Sequence, residues 1–197
     1  RFEENKTTVY MLNMTSQKWM DETLTSRPVW FHMMGVAIPD VIQHDLAYMW
    51  IDGGSNGGGS GPEPPDDEKV LMIVELAERT GCVGAYIRQV PNQSMVFTND
   101  PNQEERSEDA IIAWTWYTFI TSHLDRPEVI LRMPMTKAAK RGHDAIDELV
   151  QSVTGHEITR FIPGGGSKRG WTTWSVAATD PRVVAANPVV MSLLNFN

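Results

Sequence analysis

The amino-acid sequence predicts an α/β protein with a mainly parallel sheet, preceded by an extended N-terminal region of antiparallel strands. Three observations carry this expectation. From residue 47 onward short apolar runs alternate with stretches of helical periodicity, those runs stop at glycine or proline, and the turn Gly164-Gly165-Gly166-Ser167 leads directly into a helix. Strands that alternate with helices form βαβ units, in which the strands lie parallel.

Taken in order, Thr7 to Met14 and Trp19 to Thr25 carry β-branched and aromatic residues in rough alternation and read as strands. Pro28 to Val36 is another, closed by Pro39. Ala47-Tyr48-Met49-Trp50-Ile51-Asp52 is nearly all apolar, as a buried central strand should be. The glycine- and proline-rich segment 53–66 follows. Its composition suits a linker, but helical periodicity resumes at once: Asp66 or Asp67 can cap a helix from Glu68 to Arg79, with Gly81 beyond its end. Val83 to Val90 is the next strand, and a polar stretch runs from Asn92 to Arg106. Ser107 can cap a helix to about His123, whose opening acids Glu108 and Asp109 suit the positive end of the dipole. Its aromatics Trp114, Trp116, Tyr117 and Phe119 read as core. Thr136 can cap a further helix, with Ala139, His143, Ile146, Val150 and Val153 on one face. Ile158 to Pro163 is a strand, Lys168 to Thr179 a helix, and Val183 to Val190 the start of another strand.

The 197 residues suit a single domain, and 41% hydrophobic with 21% charged residues is an ordinary globular composition. A net charge of −8 disfavours nucleic acid as a partner, since phosphate binding needs a concentrated basic surface. The one local basic cluster, Lys137, Lys140 and Arg141, reads as the polar face of a helix. No apolar run approaches the roughly 18 residues of a membrane span. Cys82 stands alone, which excludes an internal disulfide and a cysteine-based metal site; it reads as a small buried hydrophobe. Asn5-Lys6-Thr7, Asn13-Met14-Thr15 and Asn92-Gln93-Ser94 are N-glycosylation sequons, which lean towards a secreted or extracellular protein with glycans on Asn5, Asn13 and Asn92.

The chemistry concentrates at Ser167. A strand, a tight glycine turn, a serine and an immediate helix make a nucleophile elbow. The sharp turn projects the hydroxyl above the sheet edge, the small residues let strand and helix pack closely, and the helix N-terminus aims its free amides at a developing oxyanion. The spacing here is G-x-S-x-x-G, with Gly170 one place later than in the common elbow. A phosphate-binding loop would need Gly-Lys-Ser/Thr, whereas the order here is Ser167-Lys168; a purely structural turn is the other reading. Upstream, Gly53-Gly54-Ser55-Asn56 follows the apolar strand at 47–52, the place from which such enzymes donate the second oxyanion amide. The predicted site is therefore Ser167 as nucleophile, with Lys168, Gly54, Ser55 and Asn56 forming the oxyanion hole. No metal or organic cofactor is implied.

Five stretches then carry a resemblance: Trp50-Ile51-Asp52-Gly53-Gly54-Ser55-Asn56, Arg88 to Gln93, Glu108 to Trp116, Met133 to Ala138, and Gly166 to Trp174. With them the chain resembles the PhoPQ-activated pathogenicity-related protein family. The resemblance implies an α/β-hydrolase fold, an exported protein, and Ser167 as the nucleophile. A looser similarity to glucuronoyl esterases, which place an arginine after the serine, implies by analogy that Lys168 contributes a cation to the oxyanion. A solvated lysine in the first helical turn is the alternative.

In such a fold the triad runs serine, acid, histidine. After Ser167 come only Asp180, expected as a helix cap, and no histidine; His32, His44, His123, His143 and His156 all lie upstream and read as structural or surface residues. The expectation is thus a domain over residues 1–197 that is incomplete at its C-terminus, with the base elsewhere. A later segment or partner chain should cover the sheet edge after residue 190, where Val183, Val184, Val189, Val190, Leu193 and Leu194 are apolar. Two functions stand: a secreted serine hydrolase acting on an ester or amide, or a non-catalytic extracellular signalling, matrix or assembly protein on a hydrolase fold.

Overall fold

The structure, a computed structural model, describes residues 6–57 and 63–191; the Asn5 sequon, the middle of the glycine-rich segment, Leu193 and Leu194 lie outside the described residues. A six-stranded sheet forms from β1 (Thr7–Lys18), β2 (Val29–Pro39), β3 (Leu46–Ile51), β4 (Val83–Ile87), β7 (Arg160–Gly166) and β8 (Asn187–Val189), in the order β1-β2-β4-β3-β7-β8. A two-residue hairpin, β5 (Met95–Val96) with β6 (Glu105–Arg106), stands apart within the polar stretch. β3 pairs parallel with β4 and β7, and β7 with β8, whereas β1–β2 and β2–β4 are antiparallel. The parallel half and the antiparallel N-terminal region are both as the sequence predicts.

Helices cover both faces. α1 (Glu68–Thr80) is capped by Asp67, whose carboxylate accepts from the Lys69 amide at 2.9 Å, and Gly81 closes it at φ 66°. Its stripe of Val70, Ile73 and Ala77 packs on Ala37 and Tyr86, forming a core on one face of the sheet. On the other face Ala47, Met49 and Ile51 alternate inward from β3 and meet Met135, Ala138 and Ile146 of α3 (Arg132–Thr154). α4 (Lys168–Thr179) lies beside α3 and adds Val176 to that core. Chain order reverses between β3 and β7, and ligands bind at the carboxyl ends of strands at such a switch point. No helix among the described residues is long and apolar enough to cross a membrane.

Several local expectations are corrected. Residues 19–25 form a turn rather than a strand: Met20 is left-handed at φ 59°, and the Asp21 carboxylate accepts from the Thr23 amide at 2.9 Å. Only Thr25 keeps a β-bridge, to Phe97. α3 begins at Arg132, so Thr136 is interior and donates back to the Arg132 carbonyl at 2.8 Å; Pro134 falls in the first turn, where its missing N–H costs nothing. β8 is confined to 187–189, with Val183 making one bridge to Phe161. α2 (Glu108–Ser122) is apolar on most sides, yet buries only Ile111, Thr115 and Thr118; Trp116 and Tyr117 are exposed rather than core.

Two buried histidines serve the fold. His143 of α3 hydrogen-bonds Asp180 at 3.0 Å and stacks on Phe161, while Arg182 bridges Asp180 and Asp144, each at 2.8 Å. Asp180 thus ends α4, as predicted, and also ties it to α3. His32 of β2 lies between the Ser16 hydroxyl and the Arg88 carbonyl, 2.8 Å from each, and burial lowers its pKa to about 4. Ser16 reaches it because β1 shifts register between Thr15 and Gln17. A neutral ring donates from Nδ1 to the carbonyl and accepts the hydroxyl at Nε2.

α1 packs closely on the sheet at Gly84, where a Cβ would lie 2.4 Å from the Ile73 carbonyl oxygen. Gly84→Ala must push α1 off the sheet, and a loss of about 1–3 kcal/mol in denaturant unfolding is expected, the range for an overpacked core.

Candidate functional site

Four segments meet at the carboxyl edge of the sheet: the turn after β3, the loop after β4, the N-terminus of α2, and the β7–α4 elbow. At the elbow, a Cβ on Gly165 would lie 2.8 Å from the Arg169 carbonyl oxygen, and one on Gly170 would lie 3.0 Å from the Val189 carbonyl oxygen. Glycine is needed at both, because strand and helix pack there at backbone distance. Ser167 between them has φ 53° and ψ −121°, a strained conformation for a side-chain-bearing residue. It occupies the N-cap of α4, is exposed, and makes no capping bond; its amide donates to the Val189 carbonyl at 2.9 Å. A serine at an N-cap ordinarily turns its oxygen back onto the helix amides. Here the backbone holds it in another attitude.

The turn after β3 lies beside the elbow, since Ile51 is paired with Gly165. A Cβ on Gly53 would lie 2.8 Å from Arg169 Nη2, and Gly54 at φ 125° occupies a region that favours glycine. The loop after β4 braces this turn. The Gln89 amide donates to the Gly53 carbonyl at 2.8 Å, Gln93 Nε2 to the Gly54 carbonyl at 3.0 Å, and the Asn56 amide to the Gln93 carbonyl at 2.7 Å. The Asn56 amide is therefore engaged within the loop. Asn92 is fully buried, its Nδ2 donating to the Phe31 carbonyl at 2.5 Å and to Asn56 Oδ1 at 3.2 Å. Asn92 thus has no surface for a glycan, which corrects the expectation from its sequon. Asn13, by contrast, is exposed on β1.

Glu108 joins the segments. Its Oε1 accepts from Gln93 Nε2 at 2.5 Å and Arg169 Nη2 at 2.6 Å, and its Oε2 accepts from Lys168 Nζ at 2.5 Å. Asp109 adds a second contact to Lys168 at 2.9 Å. Burial alone would raise the Glu108 pKa, but hydrogen bonds from Arg169, Lys168 and Gln93 outweigh it and hold the carboxyl at about 2. Lys168 and Arg169 are each 13% exposed at the side chain, and Arg169 Nε also donates to the Val90 carbonyl at 2.6 Å. The Lys168 ammonium is thus neither solvated nor unpaired: carboxylates of α2 hold it. Ser107 stands at the α2 N-cap as predicted, but its side chain makes no capping bond; Gln93 Oε1 accepts the Glu108 amide at 2.8 Å instead.

From the other side Arg132 donates through Nη1 to the Lys168 carbonyl at 2.9 Å and lies 4.2 Å over the Trp171 ring. Among the described residues no histidine hydrogen-bonds Ser167: His143 and His32 are committed as above, His44 and His156 are exposed, and His123 follows α2 beside Phe97 and Thr118. No cluster of three metal-ligating side chains occurs among the described residues either. Glu108, Gln93 and Arg132 are absent from the sequence-derived site. A signal exists for Glu108, because two adjacent cations after the elbow serine need counter-charges and Glu108-Asp109 is a matching pair.

The strand order and the strand–turn–helix at Ser167 place the chain in the α/β-hydrolase class. A Legionella pneumophila protein assigned as a hydrolase has a similar fold, at TM-score 0.50 and 15% identity over 92% of this chain and 42% of that one. An acetyl xylan esterase from Paenibacillus sp. R4 superposes at TM-score 0.49 and 14% identity, over 94% of this chain and 54% of that chain. Within the class, the profile of the PhoPQ-activated pathogenicity-related proteins matches residues 1–197, and the chain belongs to that family. Autocrine proliferation repressor protein A of Dictyostelium discoideum is 38% identical over 189 residues, which are 96% of this chain and 36% of that protein. The chain therefore spans about a third of that relative's length.

The Glu108 hub has a pH signature. Its folded pKa lies below the unfolded carboxylate value of about 4.3, so its stabilisation is complete above that value and lost as pH falls towards 2. Glu108→Gln should lower the melting temperature at pH 7, and its deficit against wild type should shrink on acidification to pH 3. Glu108→Ala, which leaves Arg169 unmatched and Lys168 with Asp109 alone, should cost about 1–3 kcal/mol. Melting curves from pH 7 to pH 3 check both; a deficit independent of pH would exclude the ion-pair account.

Proposed function

We propose that the chain is the nucleophile-bearing part of a secreted serine hydrolase that acts on an ester or amide. One observation carries this reading: Ser167 is held exposed at φ 53° and ψ −121° at the head of α4, without capping the helix. Backbone strain of this kind costs about 1–3 kcal/mol and persists where the surroundings enforce it. The hydroxyl oxygen attacks the carbonyl carbon, and a histidine from a later part of the longer protein takes its proton. The amides of Lys168 and of the Gly54–Ser55 turn bind the oxyanion. That histidine then protonates the leaving group, and water hydrolyses the acyl-serine. Asn56, whose amide is engaged, shapes the turn rather than donating to the oxyanion, and the Lys168 side chain positions the helix against Glu108. No metal or organic cofactor enters the proposal.

A later segment or partner chain would cover β8, where Val184, Val189 and Val190 are exposed. A second reading, a non-catalytic extracellular signalling protein on the same fold, is favoured by the name of the Dictyostelium relative, a proliferation repressor. Fluorophosphonate labelling of the full-length protein separates the two: labelling that Ser167→Ala abolishes is expected, and an unlabelled wild type would support the signalling reading. Secretion has its own check. Expression through a secretory pathway should place a glycan on Asn13 and none on Asn92, as read by peptide mass mapping after glycosidase treatment; an unmodified Asn13 would count against it.

A further inference from the structure

Arg132 is the first residue of α3 and only 8% exposed, and its Nε is buried without a partner. No carboxylate among the described residues forms an ion pair with it. The neighbouring cations of the carboxyl edge are all matched: Arg169 by Glu108, Lys168 by Glu108 and Asp109, Arg88 by Glu63, and Lys69 by Asp52 and Asp67. Asp109 acts on Arg132 only from beyond ion-pair distance. Removing a guanidinium from water without a paired carboxylate is expensive, and one carbonyl bond, a Met135 sulfur contact at 3.9 Å and a ring contact return only part of the cost. An unbranched apolar side chain would fill the same space between α3 and α4 without the penalty. The scarcity is local, because a protein of net charge −8 has carboxylates in excess.

We propose that Arg132 is the seat of a carboxylate brought to the elbow from outside the described residues. The planar fork of a guanidinium fits a carboxylate in two parallel bonds, and Trp171 beneath it fixes the plane. The seat adjoins Lys168, the residue after the nucleophile. The carboxylate has two sources: an acid group on the substrate, or an Asp or Glu side chain from another part of the longer protein. With the first source, Ser167 acts on esters or amides that carry an acid near the scissile bond, and this arm rests on the hydrolase reading above.

The test compares full-length wild type, Arg132→Met and Ser167→Ala. Thermal unfolding is read in succinate against chloride at matched ionic strength, and again from pH 7 to pH 3. For an open seat, succinate should raise the melting temperature by about 2 °C in wild type and in Ser167→Ala, and not in Arg132→Met. For a seat filled from within, succinate should do nothing, and wild type should lose stability on acidification in a step that Arg132→Met lacks. Equal responses of wild type and Arg132→Met to both succinate and acid would overturn the proposal. Hydrolysis of a hemisuccinate against the butyrate of the same alcohol then tests the substrate source: an open seat predicts about a tenfold preference for the acid ester that Arg132→Met abolishes. The thermal readouts need no turnover, so failure of Ser167 as a nucleophile and failure of the carboxylate seat are separate results.

Discussion

A single carboxylate, that of Glu108, receives hydrogen bonds from two other segments of the chain. Gln93 belongs to the loop after β4, and Lys168 and Arg169 to the first turn of the elbow helix, while Glu108 itself opens α2. Without it, Arg169 would be partly buried unpaired and Lys168 would keep only the exposed Asp109 as a partner. The same carboxylate lies at a helix N-terminus, where the dipole favours negative charge. Gln93 extends the tie to the turn after β3 through the Gly54 carbonyl, so all four walls of the site share one hydrogen-bonded network.

That network is matched by backbone strain. Gln89, Glu108 and Ser167 are all left-handed although none is glycine, with φ between 49° and 55°. The loop after β4, the head of α2 and the elbow thus each hold one unfavourable residue, and each is fixed by bonds to a neighbouring segment. Rigid elements fill the two faces of the sheet, and these three strained positions gather at its carboxyl edge, while Met20 and Gln103 hold positive φ elsewhere. Strain is tolerated where the surrounding packing over-determines the backbone.

The sequence made the scaffold legible where local chemistry and burial agree. Helix α1 was readable from Asp67, the Val70–Ile73–Ala77 stripe and Gly81, and β3 from its unbroken apolar run. The elbow was readable because glycines and a serine at a strand–helix junction have few other uses. Failures came where distant partners decide. Thr136 looked like a cap, but tertiary packing starts α3 a turn earlier, at Arg132. Trp19 to Thr25 alternated like a strand, but the Asp21 side chain offered its backbone a turn instead. Trp116 and Tyr117 of α2 look like core from composition alone, which says nothing about what lies opposite them. The sequence places Glu108 at a helix start but does not assign it or Gln93 to the site, because their role is defined by residues about 60 and 15 positions away, which periodicity cannot register.

The buried chain from Ser16 through His32 to the Arg88 carbonyl starts in the outermost strand and ends in the loop that braces the Gly53–Gly54 turn. Its existence depends on the register shift in β1, which turns Ser16 inward. Peeling β1 from the sheet, or re-pairing it with β2 in another register, would break that bond and leave a buried imidazole one hydrogen bond short. The rim of the sheet is thus tied by hydrogen bonds to the loop that braces the turn opposite Ser167, so the order of an edge strand and the shape of the site are secured by the same buried groups.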